Sequence, residues 1–295
     1  MAISIFDDLG VRYPIILGGL SRVGTAPLAA AVSEAGGLGL LGAGAWDGEI
    51  LRQQILKTRE LTKAAFGVNI PIHAPHVCEL VDTALQEGIR VVSTSAGNPR
   101  LLTPRLKAGG IFVMHVVPTV STALKAEEAG VDAVIAEGSE SGGRTGTHEI
   151  STMVLVPQVV DAVACPVIAA GGIGDGRGLA AAMALGAMGV QMGTVFLAAT
   201  ECEVSHAFKE MLIAAGEADT VLLRDGRSAA RLIKQEFQQV FLKDRPDLVE
   251  AFMADERAAI RGTGQVVGII QRVAPAKTLI EQMVSQAREI IPGRV

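Results

Sequence analysis

The sequence predicts a (β/α)8 barrel, the TIM-barrel architecture, with a small helical lid inserted after the eighth strand. Three observations carry that reading. Eight short apolar runs alternate with longer amphipathic stretches. Several of the amphipathic stretches stop at a glycine, at Gly36, Gly88, Gly109, Gly130 and Gly186, as helices do. Two clusters, Ala169-Ala170-Gly171-Gly172-Ile173 and Gln191-Met192-Gly193-Thr194, follow the last two apolar runs. Beyond strands seven and eight, an α/β barrel holds phosphate on side-chain-free backbone N–H groups, aided by a helix N-terminus. A glycine pair lets the anion come close to the main chain.

The strand candidates are Tyr13–Leu17, Leu38–Leu41, Phe66–Ile70, Val91–Thr94, Ile111–Val116, Ala133–Ala136, Pro166–Ala169 and Gly189–Met192. Most are apolar on both faces, as parallel strands covered by helices are. The helix candidates between them are Ala26–Ala35, Glu49–Leu61, Val77–Glu87, Pro99–Ala108, Ser121–Ala129, Met153–Val163 and Gly178–Leu185. A doubly wound open sheet is the rival arrangement, and eight evenly spaced strands favour the barrel.

After Val195 the rhythm changes. Ser205–Ala215, Ala229–Val240 and Leu248–Ala259 read as three helices, with a short strand at Thr220–Leu223. The division is therefore a barrel of residues 1–199 plus 263–295 and a lid of residues 200–262, closed by a helix at Ala276–Ile291. On the second lid helix Arg231 and Lys234 fall on one face. They are placed either to meet the phosphates of a nucleotide or pantetheine group, or simply to face solvent.

Composition excludes several classes. The chain has 295 residues, is 49% hydrophobic and 19% charged, and so has ample core for one large domain. Its net charge is −5 and no lysine- or arginine-rich run appears, which argues against nucleic acid or an anionic membrane as partner. Cys78, Cys165 and Cys202 are scattered, without a CxxC pair or metal spacing, so they are read as packing residues in a reducing compartment. No signal-peptide pattern and no apolar stretch of roughly 20 residues is present, so the expected location is cytoplasmic. A homodimer is entertained as the assembly.

The strand ends supply the candidate site. They carry Gly18-Gly19-Leu20-Ser21, Gly42-Ala43-Gly44-Ala45, Val68-Asn69, Ser93-Thr94-Ser95-Ala96-Gly97-Asn98 and the long segment from Glu137 to Gly146. These loops are small, polar and glycine-rich. They suit a planar heterocycle with a phosphate tail.

These residues also match a family. The chain resembles the FMN-dependent barrel enzymes comprising nitronate monooxygenases (2-nitropropane dioxygenases) and the flavin-type bacterial enoyl-acyl-carrier-protein reductases. The matching stretches are Tyr13-Pro14-Ile15 with Gly18-Gly19, Ala35–Gly39, Phe66-Gly67-Val68-Asn69, Ala136-Glu137-Gly138 with Glu140-Ser141-Gly142-Gly143, Val167–Gly172 and Gln191–Thr194. The Gly97-Asn98 turn and the Thr152–Val156 segment lean toward the reductase branch. The resemblance implies FMN. Gly18, Gly19 and Leu20 would border the flavin, Asn69 would hydrogen-bond it, and Ser93 or Thr94 with Gly97 would line the pocket. Glu137 belongs with these cofactor-binding residues, Gly142 and Gly143 would face the ring, and Gly171, Gly172, Gly193 and Thr194 would hold the phosphate.

One position departs from the family. Its usual histidine after the Glu-x-Gly-Gly stretch is Arg144 here. Arginine stays protonated and cannot act as a general base. Arg144 is a catalytic candidate that would stabilise a developing enolate or nitronate oxygen or grip an anionic substrate group. The plain alternative is a rim ion pair with Glu140 or Glu149. His148, four residues on, is the second catalytic candidate; the plain alternative is a solvated loop histidine. His73 and His76 flank a rim loop and lack a metal-ligand pattern, and His115 lies within an apolar strand as a structural residue. No metal site is expected.

Three functions follow as expectations. The first is an FMN enzyme that uses NADH or NADPH to reduce an electron-poor acceptor, an enoyl thioester or a quinone, so that the partner is a small molecule or an acyl thioester. The second is a nitronate monooxygenase that oxidises alkyl nitronates with O2. The third is a flavin-binding protein without catalysis.

Overall fold

The computed structural model of the chain describes residues 5–224, 229–234 and 262–293. Its strands are β1 (Ile15–Leu17), β2 (Gly39–Gly42), β3 (Phe66–Pro71), β4 (Val91–Ser95), β5 (Phe112–Val117), β6 (Ala133–Glu137), β7 (Gly143–Thr145), β8 (Val167–Ala170), β9 (Gly189–Met192), β10 (Thr220–Arg224) and β11 (Ala229–Ile233). Eight of them form one parallel sheet in the order β1-β9-β8-β6-β5-β4-β3-β2. A parallel bridge from Ile16 to Leu38 joins its two ends. There the Leu17 N–H donates to the Leu38 carbonyl at 2.9 Å and the Leu38 N–H to the Ile15 carbonyl at 2.8 Å. The sheet is thus the barrel read from the sequence, and each expected strand sits where its apolar run predicted.

Alternation of side chains along each strand builds two cores. Ile16, Leu38, Leu40, Val91, Met114, Ala133, Ile135 and Ile168 fill the barrel interior. Phe6 from the short helix α1 (Ile5–Leu9) plugs the end at which the strands begin. Ile15, Leu17, Leu41, Val68, Ile70, Val92, Val134 and Val190 point the other way, into the layer beneath the helices.

That outer layer is α2 (Ala26–Glu34), α3 (Gly48–Leu61), α4 (Val77–Gln86), α5 (Thr103–Ala108), α6 (Val120–Glu128), α7 (Thr152–Ala162) and α8 (Gly176–Ala184). Their ends follow local chemistry. The Asp47 carboxylate caps α3 by accepting from the Ile50 N–H, and Thr119 and Thr122 form a reciprocal capping box on α6. Gly186 ends α8 with φ +96°, a conformation other residues enter only at a cost. The short α9 (Thr194–Leu197) and α10 (His206–Ala214) follow β9. The closing helix, α11 (Ala276–Ile290), packs on α8 and α2 and so completes the ring.

The segment after β9 departs from expectation. The residues read as the start of a helix at Ala229–Val240 form strand β11 instead, and 235–240 lie outside the described residues, as does the Leu248–Ala259 helix. Alanine favours a helix. Here it is outweighed because β11 is paired on both edges, with β10 and with β7, and all five of its residues are buried. Arg231 and Lys234 therefore do not share a helix face, and Arg231 is a buried strand residue.

Backbone passes close to backbone in several places, and Gly39 is one. A Cβ there would run into the Ala29 carbonyl of α2, and the Gly39 N–H donates to Ser33 Oγ at 3.1 Å. Gly39→Ala is expected to lower unfolding stability by about 1–3 kcal/mol, the usual cost of overpacking. Gly216→Ala, whose added methyl would meet only Asp219 Oδ2 at 3.5 Å, is expected to stay within about 0.5 kcal/mol. Urea unfolding of the two variants checks the contrast.

Candidate active site

The same alternation that fills the barrel puts four polar side chains over its apolar interior, at the C-terminal ends of the strands. They are Asn69 on β3, Ser93 on β4, Glu137 on β6 and Gln191 on β9. Asn69 is in register with Ser93, and Glu137 and Gln191 flank Ala170. Asn69 and Ser93 are buried, and the Asn69 amide nitrogen donates to the Ser93 carbonyl at 3.2 Å. Gly19 lies directly across Asn69, with no room there for a side chain. The Gly18 N–H donates to the Met192 carbonyl at 2.8 Å, and Leu20 closes on Gly193. The structure thus brings Gly18, Gly19, Leu20, Asn69, Ser93 and Gly193 together.

Thr94 stands apart from Ser93 because it is one residue out of phase. Its Oγ1 faces the helix layer, 2.7 Å from His115 Nδ1 and 3.2 Å from the Met114 carbonyl. Burial pushes His115 down to about 4, a backbone hydrogen bond to Gly97 opposing it weakly, so the imidazole is neutral and structural. Gly97 is held near the rim by that same contact and by packing on Ile72.

Glu137 has protein around its carboxyl, yet the residue keeps part of its surface open at the barrel mouth. Burial pushes the carboxyl up to about 7, with a hydrogen bond to the Ser141 side chain pulling the other way. The Gln191 side chain was passed over in the sequence, although Gln191 was quoted within its cluster. It is 8% exposed and its Oε1 has no hydrogen-bond partner among the described residues. A lone amide within an otherwise apolar strand was the signal that marked it.

Beyond β8 the chain turns through Gly171 at φ +96° and Gly172 at φ +69°. Among the described residues the amides of Gly172, Ile173 and Gly193 are seen in no hydrogen bond. Gly172 is exposed and Gly193 partly so. Helix α8 adds less than the sequence suggested, because the Asp175 carboxylate already caps it, accepting from the Arg177 and Gly178 amides. Among the described residues, the main-chain amides of the two clusters therefore remain as the unpaired donors at this end of the barrel. Thr194 Oγ1 accepts from the Gly264 N–H at 2.9 Å. That bond draws in the return segment after residue 262, which packs its backbone on Gly142 and was missed as a site element. The glycines two apart, Gly262 and Gly264, were its signal.

Gly142 and Gly143 lead into β7, where Arg144 lies opposite Ala230 and is exposed. Of the carboxylates read as its rim partners, Glu140 accepts from the Thr152 N–H and hydroxyl at 2.9–3.0 Å, and Glu149 is ion-paired with Arg224. His148 is exposed on the following loop. His73 contacts the Ala96 carbonyl at 3.2 Å, and His76 pairs with Glu79 at 3.1 Å. No metal-binding cluster occurs among the described residues, nor is any described helix long and apolar enough to cross a membrane.

A polar floor beside a bank of bare amides suits a flat heterocycle with an anionic tail. The nitronate monooxygenase family profile matches residues 4–286. The chain belongs to the nitronate monooxygenase family. This family member is 35% identical to a probable nitronate monooxygenase of Staphylococcus saprophyticus, over 96% of this chain and 97% of that one. It is 32% identical to the (3aS,4S,5R,7aS)-5-hydroxy-7a-methyl-1-oxo-octahydro-1H-indene-4-carboxyl-CoA dehydrogenase of Rhodococcus jostii, over 96% and 95%. Among solved structures, FabK from Thermotoga maritima is 40% identical with a TM-score of 0.89, covering 99% of this chain and 98% of its own. Nitroalkane oxidase from Streptomyces ansochromogenes is 30% identical with a TM-score of 0.81, covering 96% and 97%. Nitronate monooxygenases and FabK, an enoyl-acyl-carrier-protein reductase, are oxidoreductases that depend on FMN. This nitronate monooxygenase family member is therefore an enzyme of the flavin-type oxidoreductase class. Its own residues fit the cofactor: Gln191 Oε1 lacks a donor among the described residues, Gly19 packs without a side chain on Asn69, and the amides of Gly172, Ile173 and Gly193 are bare.

The raised carboxyl of Glu137 fixes a pH trend. In the unfolded chain it ionises near the ordinary 4.5, and in the folded chain near 7. The folded state holds the extra proton between those values, so stability falls as pH rises through this window. Glu137→Gln removes the effect. The stability advantage of Glu137→Gln over wild type is expected to grow by at most about 3 kcal/mol between pH 4.5 and pH 8. Urea unfolding of the flavin-free proteins measures it, and a pH-independent difference refutes the assignment.

Proposed function

We propose that this protein is an FMN-dependent reductase that draws on NADH or NADPH and reduces an electron-poor acyl thioester, an enoyl thioester above all. The observation that carries the proposal is Arg144 at the rim, where the resemblance leads one to expect a histidine. A guanidinium takes no proton from a nitroalkane. Among the described histidines, His115 faces the helix layer, His73, His76 and His148 sit on exposed loops, and His206 is exposed at the start of α10, where it pairs with Glu210. Hydride transfer needs no such base. Two relatives add support by their names: FabK is an enoyl-acyl-carrier-protein reductase, and the Rhodococcus jostii enzyme is a dehydrogenase of a carboxyl-CoA.

Bound FMN supplies the hydride relay between nicotinamide and acceptor. The residues supply position and field. Gly171, Gly172, Gly193 and Thr194 hold the phosphate, and Gly18, Gly19, Leu20, Asn69, Ser93, Glu137 and Gln191 seat the ring. Gly142 and Gly143 give its exposed side a wall without side chains. Arg144 offers a fixed positive charge to the thioester oxygen as negative charge develops there, and solvent delivers the proton to carbon. The same positive charge favours a second reading, oxidation of a preformed anionic nitronate with O2, in keeping with the family match.

The purified protein is expected to be yellow and to oxidise NADH or NADPH without oxygen when given a short enoyl-CoA. Nitronate-dependent O2 uptake without nicotinamide, in the absence of enoyl reduction, would instead establish the second reading. Gly172→Asp sets a carboxylate among the bare amides, at a φ that aspartate tolerates. It is expected to weaken FMN binding by at least about 100-fold in a fluorescence titration, and unchanged binding would remove the phosphate assignment.

A further inference from the structure

We propose that Glu137 couples flavin loading to proton uptake: FMN docks on the neutral carboxyl, and protein that starts with a carboxylate takes one proton from solvent as it binds. The step is a protonation alone, carboxylate plus proton giving carboxylic acid, and no bond of the ligand changes. The inference rests on the FMN reading above.

Three placements carry it. Glu137 is the inward residue at the end of β6, one strand from the bare-amide cluster, and its register partner Ala170 immediately precedes Gly171. Its hydrogen-bond partner Ser141 lies against that cluster, with Oγ 3.0 Å from where a Cβ of Gly171 would stand. A carboxylate here would add a second negative charge to that of Glu140, whose Oε1 lies 3.6 Å from where a Cβ of Gly172 would stand, and so weaken the hold of Gly172 and Ile173 on a phosphate. Across Ala170, the buried Gln191 Oε1 is without a donor, and a carboxylic acid adds an O–H to a floor short of donors.

Among the described residues no counter-charge acts on the carboxyl, and the Arg231 guanidinium of β11 donates instead to the Ser139 carbonyl. From its own loop Ser141 faces Glu137, while Glu140 is turned to Thr152. The flanking strands present Val116 from β5 and Ala170 from β8, and beyond β8 lies Gln191 of β9. No cation or second carboxylate contributes to the upward displacement of its ionisation, which burial alone drives. Neutral pH is thus the range in which loading would respond.

Calorimetric titration of the flavin-free, full-length protein with FMN, in buffers of different ionisation enthalpy, tests the proposal. About half a proton should be taken up per FMN at pH 7 and close to one at pH 8.5. The dissociation constant should rise toward tenfold per pH unit above 7. In Glu137→Gln this dependence should vanish, leaving only the shallow titration of the phosphate, which both proteins share. Ser141→Ala removes the hydrogen bond that favours the charged form, so its midpoint should move to higher pH. Equal proton uptake in wild type and Glu137→Gln overturns the proposal while leaving FMN binding intact. Failure of wild type to bind FMN even at pH 6 overturns the FMN reading, and the proposal with it.

Discussion

Close passage of one main chain over another is the constraint on which the barrel mouth depends. Gly42 lies against the Leu20 carbonyl, and Gly142 against the backbone of Thr263 and Gly264. Each contact leaves no volume for a methyl group. Segments distant in sequence therefore meet through peptide groups, and the amides that line the mouth are positioned by rigid strands. A site built this way needs few side chains to set its shape, and those it has point inward from strands.

Electrostatics complement that geometry. The two buried titratable residues nearest the floor, His115 and Glu137, are both driven by burial toward their neutral forms, one by losing a proton and the other by keeping it. The interior end of the site is polar without fixed charge. Positive character comes from peptide dipoles; of the full charges, Arg144 sits at the rim, and Glu140 is held by Thr152 beside Gly172.

Much of this was legible in the chain. The eight strands showed as apolar runs because parallel strands are covered on both sides, and helix ends showed in their glycines. The bare-amide clusters showed because only glycine tolerates consecutive left-handed turns such as Gly171-Gly172. What stayed hidden depended on partners far away in sequence. Ala229–Ile233 looks helical by composition and becomes a strand only because β10 and β7 flank it. Ser93 and Thr94 were interchangeable until the pairing with β3 and β5 fixed which one points inward. Asp175 was not singled out in the sequence, where the helix candidate begins at Gly178; its role as the cap of α8 emerged with the backbone conformation.

The three-stranded sheet β10-β11-β7 joins the segment after β9 to the loop that follows β6. Arg231 tightens the join, its guanidinium donating to the Ser139 carbonyl at 3.1 Å and to Thr220 Oγ1 at 3.3 Å. Arg144 therefore owes its place at the rim to a ladder closed from across the chain: the strand that carries it is held by β11, and β11 in turn by β10.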